Sequence, residues 1–578
     1  MESTSVIKNS PEPAKNLTRT RQKTIILIVF VTLLTMLLAS HLQEYSSSSH
    51  EREKILLAHS VTPPLRPFPI IKNACTNTLY PSLCFTTLSS IPATNNPITF
   101  HHILEVSINQ TVASVTYTRL DIMGLCSRQH LNSQEQNALN DCIEMLDQTL
   151  YELGQAIDDL HAFPASIGYL HRSYGNLKTL LSAAMTNENT CIDGFSDLED
   201  ADSENQTGLK EGLQNMLTPI SRMISNCLAM IKYMEASKQE ETIKNPRLLI
   251  TKMPREEFPE WMTSSDRKLM ETVPNIRPDV IVASNGSGDY RLIGEAVRMA
   301  PHNSMNRYVI KIMAGLYNEN VEISREKVNI MLVGDGMSST VIMGSKSFVD
   351  GFSTFTSATL TVVGDKFLAR DLTIINTAGP QKHQAVALRV NSNSAFYRCN
   401  FSSYQDTLYA HSLRQFYREC TIQGMIDFIF GNAAAVFQNC HILVRQPIPG
   451  QKNMITAQGR EDPNQNTGIS LQHCSIMAAP DFTMDERRNF STFLGRPWRN
   501  YSRTMVMKSY LGDLIHPQGW CKWNNYSTLD TVEYMEYMNF GPGSNTERRV
   551  TWGGYRKNCS EDIAKQFTVG EFLHAADD

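Results

Sequence analysis

Two aspartates in the second half of the chain give the strongest sign of chemistry. Asp406 lies seven residues after Cys399, and Asp427 lies seven residues after Cys420, so both occupy the same place in a repeated unit. Two carboxyl groups on stacked units would titrate as a pair, with one of them held protonated toward neutral pH. A hydrolase uses one carboxylate as nucleophile or base and one carboxylic acid as proton donor. The spacing therefore predicts a hydrolytic carboxylate pair.

The same spacing has a structural alternative, an aspartate ladder whose carboxylates accept hydrogen bonds from turn amides. Other hydrolytic signatures are missing, because the sequence has neither a Gly-x-Ser-x-Gly elbow nor a His-Glu-x-x-His motif. No Cys-x-x-Cys pair or Cys/His metal spacing occurs, so neither a metal nor another cofactor is expected. A net charge of −5 without a basic tract argues against a nucleic-acid partner. The carboxylate pair is the hydrolytic solution that remains.

A repeat of about 20 residues must position this pair. Cys399, Cys420 and Cys440 are 21 and 20 residues apart, within β-branched and aromatic runs broken by Gly, Asn and Asp. Strand-like composition at this period predicts a parallel β-helix over residues 276–578. Successive coils of such a fold lie about 4.8 Å apart, which would bring Asp406 and Asp427 onto adjacent coils. At that separation Cys420 and Cys440 could form a disulfide, or could stay reduced as small buried residues.

The first half of the chain has a different pattern. In residues 70–235 apolar side chains recur at steps of three and four, most clearly over 139–160 and 209–231. Shorter stripes over 104–115 and 177–184 bring the total to four, which predicts an all-α four-helix bundle ahead of the all-β domain. Residues 236–275 are polar, proline-bearing and aperiodic, which predicts a linker. Inside it, Arg267-Lys268-Leu269-Met270 is either a solvated charged pair or a protease site that releases the second half.

The N-terminus indicates export. A basic tail, residues 1–24, precedes an apolar run over residues 25–40, which is short for a stable membrane span. This run is either a cleaved signal peptide or a signal anchor. The eight Asn-x-Ser/Thr sequons beyond it, which are candidate glycosylation sites, agree with entry into the secretory pathway. We therefore expect an exported protein of the secretory pathway whose precursor is membrane-anchored if residues 25–40 are not cleaved.

Several longer motifs, covering about Pro278 to Phe572, resemble the ordered motifs of plant pectin methylesterases. They are HQAVALR from residue 383, YQDTLY from 404, DFIFGNA from 427, TAQGR from 456, DPNQNTG from 462 and LGRPW from 494. The resemblance implies a right-handed parallel β-helix and hydrolysis of the methyl esters of pectin, with release of methanol. Cys521-Lys-Trp523 departs from the His-Glu-Trp that is usual in this family.

The resemblance also implies a role for each matching residue. Asp427 would attack the methyl-ester carbonyl, and Asp406 would protonate the departing methanol and then activate water. Gln384 and Gln405 would stabilise the oxyanion. Arg496 would hold the nucleophile and keep it ionised while Asp406 keeps the proton. Substrate contacts are expected from Thr354 and Trp498, again with Gln384 and Arg496, and sugar-stacking faces from Tyr409, Phe430 and Trp520.

Motifs of the first half resemble the pectin methylesterase inhibitor domain. They include NAC from residue 73, YPSLC from 80, ALNDC from 138 and LSAAMTNENTCIDGF from 181. The resemblance implies disulfides from Cys75 to Cys84 and from Cys142 to Cys191, and a processing site at Arg267-Lys268-Leu269-Met270. The expected partners are methyl-esterified pectin, a processing protease, and pectin methylesterase domains, either the chain's own or those of others.

Two rival functions remain to be distinguished. A pectate lyase or a polygalacturonase could share the architecture, but the sequence lacks the calcium-binding acidic cluster and basic proton abstractor of the first and the additional carboxylates of the second. A binding protein, with an inhibitory bundle and an inactive β-helix, is the other alternative. The presence of Asp406, Asp427 and Arg496 argues against it.

Overall fold

The structure is a computed structural model that describes residues 69–91, 98–127, 131–162, 167–195, 204–243, 258–259, 261–271, 276–524 and 529–573. The predicted basic tail, residues 1–24, and the apolar segment 25–40 lie outside these ranges. Within them, no helix combines the length and the apolar character that crossing a membrane requires.

Most of the described residues between Pro69 and Ile243 form six helices. Apolar stripes on four long helices, α3 to α6, pack together around buried residues such as Leu146, Leu181 and Leu228. Disulfides join Cys75 in α1 to Cys84 in α2, and Cys142 in α4 to Cys191 in α5, which are the pairs that the resemblance implies. The helices are α1 (Pro69–Thr76), α2 (Pro81–Leu88), α3 (Phe100–Cys126), α4 (Ser133–His161), α5 (Ile167–Asp193) and α6 (Glu204–Ile243).

From Val280 onward the chain winds into three parallel sheets, which confirms the predicted parallel β-helix behind a helical bundle. The first sheet contains β1 (Val280–Val282), β2 (Tyr308–Ile312), β5 (Ile330–Val333), β8 (Phe367–Arg370), β11 (Ser394–Tyr397), β14 (Arg414–Arg418), β17 (Ala434–Gln438), β20 (Gly468–Gln472), β23 (Arg503–Met507), β25 (Glu533–Tyr537) and β26 (Tyr555–Arg556). The second sheet contains β4 (Val321–Ile323), β7 (Leu360–Val362), β10 (Leu388–Val390), β13 (Leu408–Ala410), β16 (Ile429–Gly431), β19 (Asn453–Gln458) and β22 (Thr492–Pro497).

The third sheet contains β3 (Gly315–Asn318), β6 (Thr340–Gly344), β9 (Thr373–Asn376), β12 (Asn400–Ser402), β15 (Thr421–Gly424), β18 (His441–Val444), β21 (Ser475–Ala478) and β24 (Tyr510–Leu511). Short helices accompany the sheets: α7 (Ser264–Glu271), α8 (Ile293–Met299), α9 (Met484–Arg487), α10 (Glu561–Lys565) and α11 (Val569–Phe572). Inside the coils, equivalent aromatic rings stack. The ring centroids of Phe396 and Tyr417 are 5.0 Å apart, and those of Tyr417 and Phe437 are 4.6 Å apart.

A ladder of buried cysteines shows that one of the two alternatives for Cys420 and Cys440 is wrong. Both are free thiols, not a disulfide. The Cys420 thiol donates to the Phe396 carbonyl at 3.5 Å, and the Cys440 thiol donates to the Tyr417 carbonyl at 3.4 Å. Coils in register project equivalent side chains in the same direction, whereas a disulfide needs its two Cβ atoms to face each other. These cysteines therefore act as small core residues.

The predicted linker differs from an exposed coil. It contains helix α7, which carries the predicted processing site, and Met270 at the end of that site is fully buried against the β-helix. The Arg370 side chain donates a hydrogen bond to the Leu269 carbonyl at 2.7 Å. Eight residues are too few to form a stable isolated helix, so these tertiary contacts hold α7 in place. The segment that a protease would cut is docked on the β-helix.

Candidate active site

The second sheet carries a row of side chains on its outer face. In strand β10, Leu388 and Val390 point into the core, so Arg389 between them points outward. The register extends this outward position across six strands, from β7 to β22. The row consists of Thr361, Arg389, Tyr409, Phe430, Ala457 and Arg496.

Asp406 and Asp427 lie on the turns that enter β13 and β16. Gln405 pairs with Ile426, and the Asp406 amide donates to the Ile426 carbonyl at 3.0 Å, so the two aspartates occupy adjacent coils. Both have left-handed backbones, with φ of 62° and 50°. A non-glycine residue in this region is strained, and such strain is common where a side chain is held for function.

Arg496 forms a bidentate ion pair with one of the two carboxylates, that of Asp427. Its Nε donates to Asp427 Oδ1 at 2.9 Å and its Nη2 to Oδ2 at 2.5 Å, and its guanidinium lies 4.1 Å from the centroid of the Trp523 ring. Burial raises the pKa of Asp427, while the charge and hydrogen bonds of Arg496 oppose that shift. Arg496 therefore favours the ionised form of Asp427, as expected, but burial has the larger effect and the net shift of the pKa is upward. The bidentate contact still fixes the orientation of the carboxylate.

The two glutamines stack beside the acids. Gln384 pairs with Gln405 across neighbouring coils, and both line the same cavity as Asp406 and Asp427. The cavity has a volume of about 450 Å³. Thr354, Tyr409, Phe430, Arg496 and Trp498 also line it.

The three aromatic residues predicted to stack on sugars lie in two different environments. Tyr409 and Phe430 stack with ring centroids 4.2 Å apart, and their neighbour Trp498 is 6.0 Å from Phe430. Trp520, by contrast, is fully buried in the β-helix, where its Nε1 donates to Glu536 at 3.3 Å and its ring lies 4.3 Å from Tyr534. The prediction of Trp520 as a sugar-stacking face is wrong, since its side chain points into the core.

The helical domain closes the cavity from above. Asp141, Thr190, Asp193 and Gly194 complete the lining. Ser353 donates to Asp141 Oδ2 at 2.6 Å, Thr190 Oγ1 lies 2.9 Å from His411 Nε2, and Arg499 pairs with Asp193. These contacts join residues more than 200 positions apart in sequence.

Sequence reasoning missed several residues of the site. Ser353, Phe355 and Arg499 are lining residues that adjoin predicted positions in the sequence, and this adjacency was the available signal. Trp523 lies in the segment that departs from the family pattern, yet it supports Arg496. Among the described residues, no group of three His, Cys, Asp or Glu side chains is placed to hold a metal ion.

Two family models match the chain. The pectinesterase model covers residues 279–576, and the model described as plant invertase/pectin methylesterase inhibitor covers residues 69–230. The first of these ranges contains the carboxylate pair, and the second contains the residues that close the cavity.

Known proteins agree with these matches. The chain is 46% identical to pectinesterase 3 of Citrus sinensis, over 87% of this chain and 86% of that one. It is 46% identical to pectinesterase/pectinesterase inhibitor U1 of Solanum lycopersicum, with the same coverage. The solved structure of pectin methylesterase from carrot is 54% identical with a TM-score of 0.51, and matches 52% of this chain and 94% of its own. The chain therefore belongs to the pectinesterase family and joins a pectin methylesterase to a domain of the inhibitor type.

Proposed function

We propose that Asp427 is the nucleophile of this pectin methylesterase and Asp406 its acid and base. The observation that carries this assignment is the bidentate contact of Arg496 with Asp427. A positively charged partner stabilises the ionised form that attacks a carbonyl carbon. Asp406, on the adjacent coil, lies where it can exchange a proton with the leaving group.

The reaction follows in two steps. An Asp427 oxygen attacks the ester carbonyl carbon, the bond to the methoxy oxygen breaks, and the Asp406 proton passes to that oxygen, which releases methanol. Asp406, now a carboxylate, removes a proton from water, whose oxygen attacks the galacturonyl carbonyl and frees Asp427. Gln384 and Gln405 donate to the oxyanion in both steps, a role in which each donor contributes a few kcal/mol. Tyr409, Phe430 and Trp498 contact the sugars, as does Thr354.

Trapping the acyl-enzyme tests the assignment. We expect acid quenching during turnover on methyl-esterified pectin oligomers, followed by peptide mass mapping, to find the galacturonyl adduct on the peptide that contains Asp427. A quenched sample without substrate is the control. An adduct on Asp406 would reverse the two roles, and unsaturated uronate products instead of methanol would indicate a lyase.

We also propose that the helical domain restrains the enzyme before processing. What supports this role is the position of α4 and α5, whose Asp141, Thr190 and Asp193 lie over the catalytic cavity. Tyr409 and Phe430, the proposed sugar-contacting faces, are 3% and 4% exposed while the domain is in place. A polymer cannot reach faces that are covered to this extent.

The docked helix α7 should slow processing. Cleavage within Arg267-Lys268-Leu269-Met270 needs a locally extended chain, so α7 must first leave the β-helix. We expect Met270→Ala to raise the rate of cleavage there by about ten-fold or more, because deleting a buried Met side chain weakens packing by about 2–5 kcal/mol. Time courses with a trypsin-like protease, followed by N-terminal sequencing, measure this.

Met305→Ala is the matched control, since Met305 is 92% exposed. Equal cleavage rates in both variants would mean that α7 does not protect the segment. N-terminal sequencing of the protein extracted from cell walls tests the site itself. A mature N-terminus well upstream of Arg267 would reject it.

We propose that the protein acts outside the cell, where its partner is the methyl-esterified pectin of the wall. The family membership supports this location, since pectin is a wall polymer. A tagged chain should be recovered in the wall fraction, and retention inside the cell would contradict the proposal. The mass of the uncut precursor, recovered before cleavage at Arg267-Lys268-Leu269-Met270, distinguishes a signal peptide from an anchor at residues 25–40.

A further inference from the structure

Arg389 lies in the same row as Arg496, next to Thr361 at the other end. The two arginines are four rungs apart in the sheet, so at about 4.8 Å per coil their backbones are about 19 Å apart. The row also contains Tyr409 and Phe430, which line the cavity between the two cations. Arg389 itself is 4% exposed and does not line the cavity, so a polymer lying along this face would reach it only once the helical domain has left.

The Arg389 side chain lacks partners that its chemistry requires. It is 4% exposed, yet its Nε and Nη1 have no hydrogen-bond acceptor among the described residues. Its guanidinium stacks 3.3 Å from the centroid of the Phe355 ring, which leaves the edge of the plane for donation. Buried polar atoms are nearly always satisfied, so two unsatisfied donors on one arginine call for an explanation. A stacked guanidinium with its edge available is well suited to bind a carboxylate.

The helical domain brings carboxylates to this arginine. Glu144 Oε1 lies 3.7 Å from Arg389 Nη2, and Asp141 lies close enough to favour its charge. From the β-helix itself, Glu322 on β4 lies just beyond the end of the row, where it pairs with Thr361 and is two rungs from Arg389. Glu144 thus supplies the ion pair that the structure shows for Arg389, and it leaves together with the helical domain.

We propose that Arg389 is a binding subsite for a free galacturonate carboxylate on a sugar near the ester under attack, since its coil lies two rungs, about 10 Å, from the coil that Asp427 enters. The inference rests on the proposed function, because it requires pectin to lie along the row past Asp427. A methyl ester carries no charge, so the subsite distinguishes a de-esterified sugar from an esterified one. The enzyme then favours pectin in which earlier turnovers have already produced free carboxylates. In the uncut chain, Glu144 takes the place of that carboxylate.

Matched substrates test the subsite. Residues 258–578 retain α7 on the β-helix and correspond to the half that folds as a separate chain in the carrot enzyme. For this fragment, kcat/KM per ester is measured on fully methyl-esterified oligomers and on oligomers of equal length with half of the esters removed. We expect Arg389→Gln to lower the ratio of the second value to the first by about ten-fold, since a charge-assisted contact is lost. Arg389→Lys, which keeps the positive charge but not the planar, forked arrangement of donors, should lower this ratio less.

Arg398→Gln is the control, because Arg398 pairs with Asp371 away from this row and should not alter the ratio. An unchanged ratio in both Arg389 variants overturns the subsite. If Arg389→Gln does not fold, as judged by circular dichroism, Arg389→Lys decides with an expected loss of about three-fold. Absence of methanol from the wild-type fragment would instead refute the proposed function, so the two failures are distinguishable.

Discussion

Asp427→Ala is expected to abolish methanol release from pectin, with a loss of at least about 10⁴-fold in kcat. The substitution removes the atom that forms the acyl bond, so no remaining group can take its place in the first step. Wild-type and variant fragments of residues 258–578 are compared by the rate of methanol release, and circular dichroism and thermal melting report on folding.

A second aspartate provides a matched control. Asp371 also has a left-handed backbone, with φ of 57°, and it pairs with Arg398 at 2.7 Å, but it is not among the residues that line the catalytic cavity. Asp371→Ala therefore removes an arginine-paired carboxylate with a left-handed backbone that lies outside the catalytic cavity. The kcat of this variant should stay within about two-fold of the wild type. Full activity in a folded Asp427→Ala variant would refute the mechanism.

Releasing the helical domain should have the second largest effect. We expect the fragment of residues 258–578 to release methanol at least about 100-fold faster than the uncut chain, because Tyr409 and Phe430 become accessible to the polymer. In the uncut chain, the double variant Asp141→Ala, Asp193→Ala should recover part of this activity. The two substitutions remove the contacts with Ser353 and Arg499 that join the helical domain to the β-helix.

The control for the double variant is Asp121→Ala, at an exposed position on α3 of the same bundle. The restraint should also depend on pH, because burial raises the pKa of Asp141 from 3.8 to about 6. Asp141 therefore stays protonated up to a higher pH when the helical domain is docked on the β-helix than when it is released. Docking of the helical domain then weakens as pH rises from about 4 to about 6. Equal activity of the fragment and the uncut chain at every pH would show that the domain does not restrain the enzyme.

The repeat made the position of the carboxylate pair predictable. A spacing of 21 residues between Cys399 and Cys420 counts one coil, and any position that keeps this offset stacks on its equivalent. The adjacent coils of Asp406 and Asp427 follow from that count. The direction of a single side chain does not follow from that count, as Trp520 shows. Trp520 lies outside the named strands and pairs with Gly495 through an isolated bridge, and its side chain contacts Tyr534 and Glu536.

Contacts between residues far apart in the sequence could not be predicted from the repeat. The hydrogen bond from Ser353 to Asp141 spans 212 residues, and no periodicity within either domain specifies it. Helix α7 is a similar case on a smaller scale. Helix α7 is held in place by the burial of Met270 and by the ion pair of Asp266 with Arg307. Neither contact can be predicted from the polar composition of this segment.

The distribution of sulfur gives the two domains different responses to reducing agents. Both disulfides lie in the helical domain, whereas the β-helix cysteines, from Cys399 to Cys559, are all free. The bond between Cys142 and Cys191 fixes the end of α5 from which Thr190 and Asp193 reach the cavity. Reduction of these two buried bonds is therefore expected to loosen the inhibitor-type domain and to leave the catalytic scaffold, which holds no disulfide among its described residues, unchanged.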